Sequence, residues 1–152
     1  MDEILIRPAT EKDLGAILEL LRQLASYAHQ TFDIDIGHVQ KLYLEMLNCP
    51  QYYKNVVACK NEIVVGFISV VNYLSFFHKG GTALINELVV SVEHRKAGVG
   101  KALVQWAVSV AKNGGLDEIE VGTERDNTGA ITFYRKAGFN EEYVLLGMEF
   151  DS

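Results

Sequence analysis

Glu87-Leu88-Val89-Val90-Ser91-Val92-Glu93-His94-Arg95-Lys96-Ala97-Gly98-Val99-Gly100-Lys101-Ala102-Leu103 passes from an apolar β run, through a basic turn with two glycines, directly into a helix. A helix start leaves several backbone N–H groups unpaired and carries a partial positive charge. Gly98 and Gly100 have no Cβ, so a bulky anion can approach that backbone closely. Arg95, Lys96 and Lys101 surround the turn in a chain that is otherwise acidic. These features predict an anion site suited to a diphosphate. On spacing alone, the plainer reading that the glycines only shape a loop stays open. Two other phosphate loops are excluded. A P-loop needs glycine at position 95 and Ser or Thr at 102, where Arg95 and Ala102 stand. A dinucleotide fingerprint needs glycine at position 103, which is Leu103, and it opens a domain where this turn lies late in the chain.

Upstream, Ile4 to Pro8 reads as a short strand closed by proline, and Thr10-Glu11-Lys12-Asp13 as a helix start. Leu14, Ile17, Leu18, Leu21 and Leu24 follow at helical spacing. A second helix is expected from about Ile36 to Leu47, ending before Pro50. Asn55–Cys59 and Ile63–Val71 flank a polar turn and predict a hairpin. His78-Lys79-Gly80-Gly81 reads as a loop, and Leu84 to Val92 as a third β run. Downstream, Gly98–Asn113 is helical and stopped by Gly114-Gly115. A strand at Ile119–Thr123, a short helix at Asn127–Ala137 and a return to β from Phe139 to Phe150 complete the pattern. The order predicts one α+β domain over residues 1–152, a mixed sheet with helices on both faces.

The chain has 152 residues, 49% hydrophobic and 22% charged, a mix suited to one globular core. A net charge of −6 argues against nucleic acid or an anionic membrane as partner. Cys49 and Cys59 match no metal-site spacing and suggest no disulfide framework, so no metal is expected and a reducing compartment is the simpler reading. The acidic Met1-Asp2-Glu3 start lacks a signal pattern, and no apolar run reaches membrane-spanning length. The expected location is therefore cytoplasmic.

Arg95-x-x-Gly98-x-Gly100, after a strand and opening a helix, resembles the acyl-CoA motif of the GNAT superfamily of N-acetyltransferases. Asn127-x-x-Ala130-x-x-Phe133-Tyr134-x-x-x-Gly138-Phe139 is similar to the superfamily's second signature, at the expected distance downstream. The element order before these motifs agrees, so the resemblance covers nearly the whole chain. It implies a GNAT-like, mostly antiparallel sheet splayed between two central strands. It implies acetyl-CoA as co-substrate, with N–H groups from Lys96 through Ala97, Gly98, Val99 and Gly100 to Lys101 gripping the diphosphate and Arg95 beside them. The strand edge at Leu88, Val89 and Val90 would hold the pantetheine arm as an added strand. Asn127 would touch the cofactor near its helix start. The implied activity is acetyl transfer to a primary amine of a small molecule or peptide, by direct attack without an acyl-enzyme. A homodimer is compatible with the resemblance. The alternatives are a catalytically silent CoA-binding sensor and a nucleotide-binding module.

Such transfer requires a neutral amine, since an ammonium with pKa near ~10 has no lone pair. It also requires stabilisation of charge on the carbonyl oxygen and of the departing thiolate. Tyr134 matches the family's tyrosine general acid; the competing reading is a core tyrosine. Glu87 is the candidate base, because a carboxylate in an apolar strand is costly and its pKa is driven upward. Relatives carry their acid at the position of Asn86, and strict alternation puts Asn86 and Glu87 on opposite faces. A β-bulge would return Glu87 to the cleft. Glu120 and Glu124 are rivals on the next strand. Cys59 and Trp106 read as core, His94 as support for the anion turn, and His29 and His38 as surface groups. Tyr73, Phe76 and Phe77 read as packing, an acceptor wall or a dimer contact.

Overall fold

The computed structural model describes residues 3–151. Strand β1 (Leu5–Pro8) leads into a single 3-10 turn at Glu11–Asp13 and then helix α1 (Leu14–Tyr27). The expected Thr10 start is present, but it caps the 3-10 turn, and Asp13 locks it. The Thr10 N–H donates to Asp13 Oδ2 at 2.7 Å, and the Arg7 guanidinium grips both Asp13 oxygens at 2.7 and 2.9 Å. Helix α2 (Ile36–Leu47) begins at Asp35, whose Oδ1 accepts the His38 N–H at 2.9 Å. The remaining elements are β2 (Tyr53–Lys60), β3 (Ile63–Ser75), β4 (His78–Val90), α3 (Val99–Asn113), β5 (Glu118–Val121) and α4 (Thr128–Lys136).

The sheet order is β1-β2-β3-β4-β5, antiparallel except for the parallel β4–β5 pair, which α3 bridges. A parallel pair requires such a crossover, and the crossover helix covers one sheet face. That face is a core of Val56, Ala58, Ile68 and Ile85 against Val99, Leu103 and Ala107 of α3. The opposite face packs Val57, Phe67 and Val89 against Leu14, Ile17 and Leu18 of α1 and Val39 and Tyr43 of α2. Helices on both faces, as the element order predicts, follow from alternation in β2, β3 and β4, whose two sets of side chains are both apolar.

The pairing of β4 departs from regularity in two places. Ser69 stands opposite Glu87 but Val70 stands opposite Ile85, so Asn86 is an extra residue in β4. This bulge breaks the alternation. Ile85 points into the α3 core, whereas Glu87 shares the parity of Val89, which packs towards α1 and α2. Further on, β4–β5 pairing ends at Ile85↔Val121 while β4 runs to Val90, leaving a gap beside its last residues. The sheet thus opens between β4 and β5, and among the described residues β5 is its edge strand.

Three expectations are corrected. His78-Lys79-Gly80-Gly81 is not a loop but the start of β4, and the turn lies at Phe76-Phe77. The glycines serve close approach: a Cβ on Gly80 would collide with the Gly115 carbonyl, and Gly81 sits at φ +96°. Glu124 lies in the loop after β5, which ends at Val121. The segment from Phe139 to Phe150 does not return to β structure. Its Tyr143 already reaches Glu118, the first residue of the four-residue β5, so the segment outruns the strand edge beside it.

Candidate active site

The turn after β4 is built by backbone geometry. Lys96 at φ +62° and Gly98 at φ +85° are both left-handed, and Gly98 is the N-cap of α3. Two left-handed residues in three fan successive N–H groups to one side, an arrangement that favours anions. Among the described residues, none of the amides from Lys96 to Lys101 meets a protein acceptor. The first α3 amide to do so is Ala102, donating to the Gly98 carbonyl at 3.0 Å. A Cβ added to Gly98 would meet nothing within 4 Å, so the outer side of the turn is open. Lys96, Ala97 and Lys101 are exposed there.

Neighbouring side chains hold the turn. The Val92 N–H donates to Gln23 Oε1 of α1 at 3.1 Å. The Arg95 guanidinium stacks over the Tyr27 ring at 4.8 Å, which fastens the turn to the end of α1. His94, read from sequence as support for the turn, has its Nδ1 buried without a partner.

Gly100 lies against α4 and the end of β4, where a Cβ would make ordinary contact with Phe133 Cζ at 3.4 Å and Val90 Cγ2 at 3.6 Å. That contact unites the two sequence motifs. Asn127 caps α4, its Oδ1 accepting the Ala130 N–H at 3.1 Å. Its amide nitrogen has no acceptor among the described residues. Tyr134 stands edge-on to Phe133 and Phe139, with ring centroids 5.1 and 5.4 Å away. Burial among these rings pushes its hydroxyl up to about 12.

The free edge of β4 can be assigned by atom. The Ser91 N–H donates to the Val65 carbonyl at 2.8 Å, so alternate residues Val89 and Glu87 also direct their backbone groups towards β3. Leu88 and Val90 therefore turn their N–H and C=O into the gap. Val89 contributes a buried side chain beneath α1 instead, 4% exposed.

Glu87 is half-buried on the α1–α2 face. Desolvation drives its pKa upward, and the Ser69 hydroxyl opposite opposes that rise. Ser69, buried at 3% exposure, was missed in the sequence, although a lone serine within Ile63–Val71 was the available signal. Glu120 on β5 is occupied by the Tyr73 hydroxyl, whose own pKa burial and that partner raise to about 12. Glu118 accepts from the Tyr143 hydroxyl at 2.7 Å and lies 3.4 Å from His78 Nε2. Among the described residues, no helix is long and apolar enough to cross a membrane.

An uncharacterised N-acetyltransferase of Methanocaldococcus jannaschii is 31% identical over 93% of this chain, which spans 63% of that protein's length. N-alpha-acetyltransferase 30 of Schizosaccharomyces pombe is 37% identical over 48% of this chain and half of its own length. The chain thus covers less than two thirds of either relative. The crystal structure of a transcriptional regulator from Bacillus halodurans superposes with a TM-score of 0.82 at 26% identity, covering 97% of this chain and 100% of its own. The acetyltransferase (GNAT) family profile matches residues 15–139, through both glycine turn and Tyr134, and the chain belongs to that family.

Proposed function

We propose that the protein transfers the acetyl group of acetyl-CoA to a primary amine by direct attack, without an acyl-enzyme. The observation that carries this reading is the run of unpartnered amides from Lys96 to Lys101, next to the unpaired β4 edge at Leu88 and Val90. The first fits a diphosphate, and the second fits an amide-bearing chain laid alongside as an extra strand. When bound, acetyl-CoA supplies an activated acetyl group on a thiol leaving group.

The chain's own groups then divide the work. Glu87 takes the proton from the attacking ammonium, and its raised pKa brings it nearer the range a base needs. Backbone N–H groups of the open β4 edge stabilise charge gathering on the carbonyl oxygen. The amine nitrogen bonds to the acetyl carbon as the carbon–sulfur bond breaks. Tyr134 is held protonated by burial and donates to the departing thiolate. With the phenol at about 12 and a thiol near ~8.5, complete proton transfer is uphill. Tyr134 therefore acts mainly as a hydrogen-bond donor, and the proton released by the amine finally neutralises the thiolate.

A screen for thiol release from acetyl-CoA over polyamines, amino acids, aminoglycosides and peptide N-termini tests this function. Release with at least one amine class is expected. Thermal stabilisation by acetyl-CoA with no release on any amine would instead favour a silent CoA sensor. Stabilisation by ATP or NAD but not by CoA would overturn the cofactor assignment.

A further inference from the structure

Two side chains of α1 grip the segment that feeds the glycine turn. Gln23 and Tyr27 are four residues apart, so they stand one above the other on a single face of the helix. Residues Val92–His94 form a 3-10 turn, and the first N–H of such a turn has no partner within it. That N–H, from Val92, donates to Gln23 Oε1 at 3.1 Å. Three positions on, the Arg95 guanidinium lies over the Tyr27 ring at 4.8 Å. The clamp therefore holds both ends of the stretch from Val92 to Arg95.

The next residue is where holding is needed. Lys96, at φ +62°, carries a Cβ into the left-handed region, a conformation that persists only where the surroundings impose it. On one side of the turn, Val99 and Leu103 are seated in the α3 core. On the other, among the described residues, the Gln23 and Tyr27 contacts are the ones side chains supply, and no carboxylate pairs with Arg95, Lys96 or Lys101. Arg95 is extended, at φ −69° and ψ 153°, and its charge is turned to the ring on α1. Lys96 and Lys101 are exposed and carry the charge left for direct contact with an anion.

We propose that Gln23 and Tyr27 are positioning residues for the cofactor, holding Val92 and Arg95 so that the amides from Lys96 to Lys101 converge on one diphosphate. Arg95 then acts through the shape of the loop, by way of Tyr27, and not by touching a phosphate. The inference rests on the acetyl-CoA reading of the turn and adds a role for the end of α1, which neither sequence motif reaches. Tyr27 is 59% exposed, so the stacking contact has the modest strength of a surface cation–π pair.

Isothermal titration of the full chain with CoA reads the effect without turnover. Tyr27→Leu and, separately, Gln23→Leu should each raise Kd about two- to fivefold, and the double variant roughly tenfold. Tyr27→Phe should bind CoA like wild type, because the ring and not the hydroxyl makes the contact. Arg95→Gln should weaken binding in the wild-type background yet add little to Tyr27→Leu, since both remove one shared contact. An unchanged Kd in both Tyr27→Leu and Gln23→Leu would overturn the proposal while leaving the cofactor reading intact. So would Tyr27→Phe binding as weakly as Tyr27→Leu. Fully additive losses from Arg95→Gln and Tyr27→Leu would mean that Arg95 touches the cofactor itself, which is the opposite of what is proposed. A wild-type protein with no measurable affinity for CoA would overturn the cofactor reading and this inference together.

Discussion

Ser69 faces Glu87 across the β3–β4 ladder although Val70 faces Ile85, and this one-residue slip turns the Glu87 side chain towards α1 and α2. Were Asn86 paired in regular alternation, with no bulge, Glu87 would share the face of Ile85 and enter the α3 core.

Glu87→Gln separates chemistry from stability. As the base, Glu87 must be ionised, so the acid limb of the pH–rate profile should lie above the ordinary carboxylate range. The variant should lose that limb and about 10²–10⁴ in kcat. Its stability should change the other way. A carboxyl whose folded pKa is raised destabilises the fold as pH climbs through that value, so Glu87→Gln should melt higher than wild type at alkaline pH. Ser69→Ala removes the opposing hydroxyl and should move the acid limb to still higher pH. A kcat for Glu87→Gln equal to wild type would exclude Glu87 as base.

Tyr134→Phe should reduce kcat about 10²-fold while leaving KM for acetyl-CoA within a few-fold, because the lost hydroxyl interacts with charge present only as the thiolate departs. The ring contacts with Phe133 and Phe139 survive the change, so melting temperature should hold. Steady-state kinetics with a poorer and a better thiol leaving group sharpen the test. The variant should be more sensitive to leaving-group pKa, and equal sensitivity would refute the donor role.

Most of the fold was legible because its signals are local. The proline that closes β1, helical spacing in α1 and α3, and the glycines ending α3 each act within a few residues. The glycine turn that opens α3 was legible for the same reason, since Gly98 needs only its own left-handed backbone. Long-range facts were not. The bulge at Asn86 depends on the register between β3 and β4, and the sequence suggested it only through a carboxylate displaced by one position. The contact of Gly100 with Phe133, thirty-three positions later, also lay beyond any local signal. The β pattern after Phe139 is real as a pattern, but strands need partners, and β5 is too short to supply one.

Asp13→Asn should cost about 1–3 kcal/mol, because it discards the charge that organises the start of α1. Arg7 and the Thr10 N–H hold the Asp13 pKa below the usual carboxylate value, against its burial. A depressed folded pKa contributes stability above the unfolded value near ~3.9 and loses it as pH falls through the folded one. The wild-type advantage over Asp13→Asn in chemical denaturation should therefore be full at neutral pH and fade in strong acid. Arg7 is a third exposed, so solvent screening trims the contribution.

Gly66→Ala tests whether the anion turn depends on how α3 is seated. A Cβ at Gly66 would lie 2.8 Å from Val99 Cγ1 and 3.1 Å from Leu103 Cδ1, the residues that pin the first turn of α3 to β3. Val99 and Leu103 are buried at 1% and 0% exposure, so neither can swing into solvent. Overpacking of this kind costs about 1–3 kcal/mol. At this size of domain that corresponds to a drop of roughly 2–12 °C in melting temperature. The displaced helix also carries the amides from Val99 to Lys101, so KM for acetyl-CoA should rise while the leaving-group dependence governed by Tyr134 stays unchanged. Loss of stability with an unaltered KM would mean that the turn keeps its shape independently of the helix it opens.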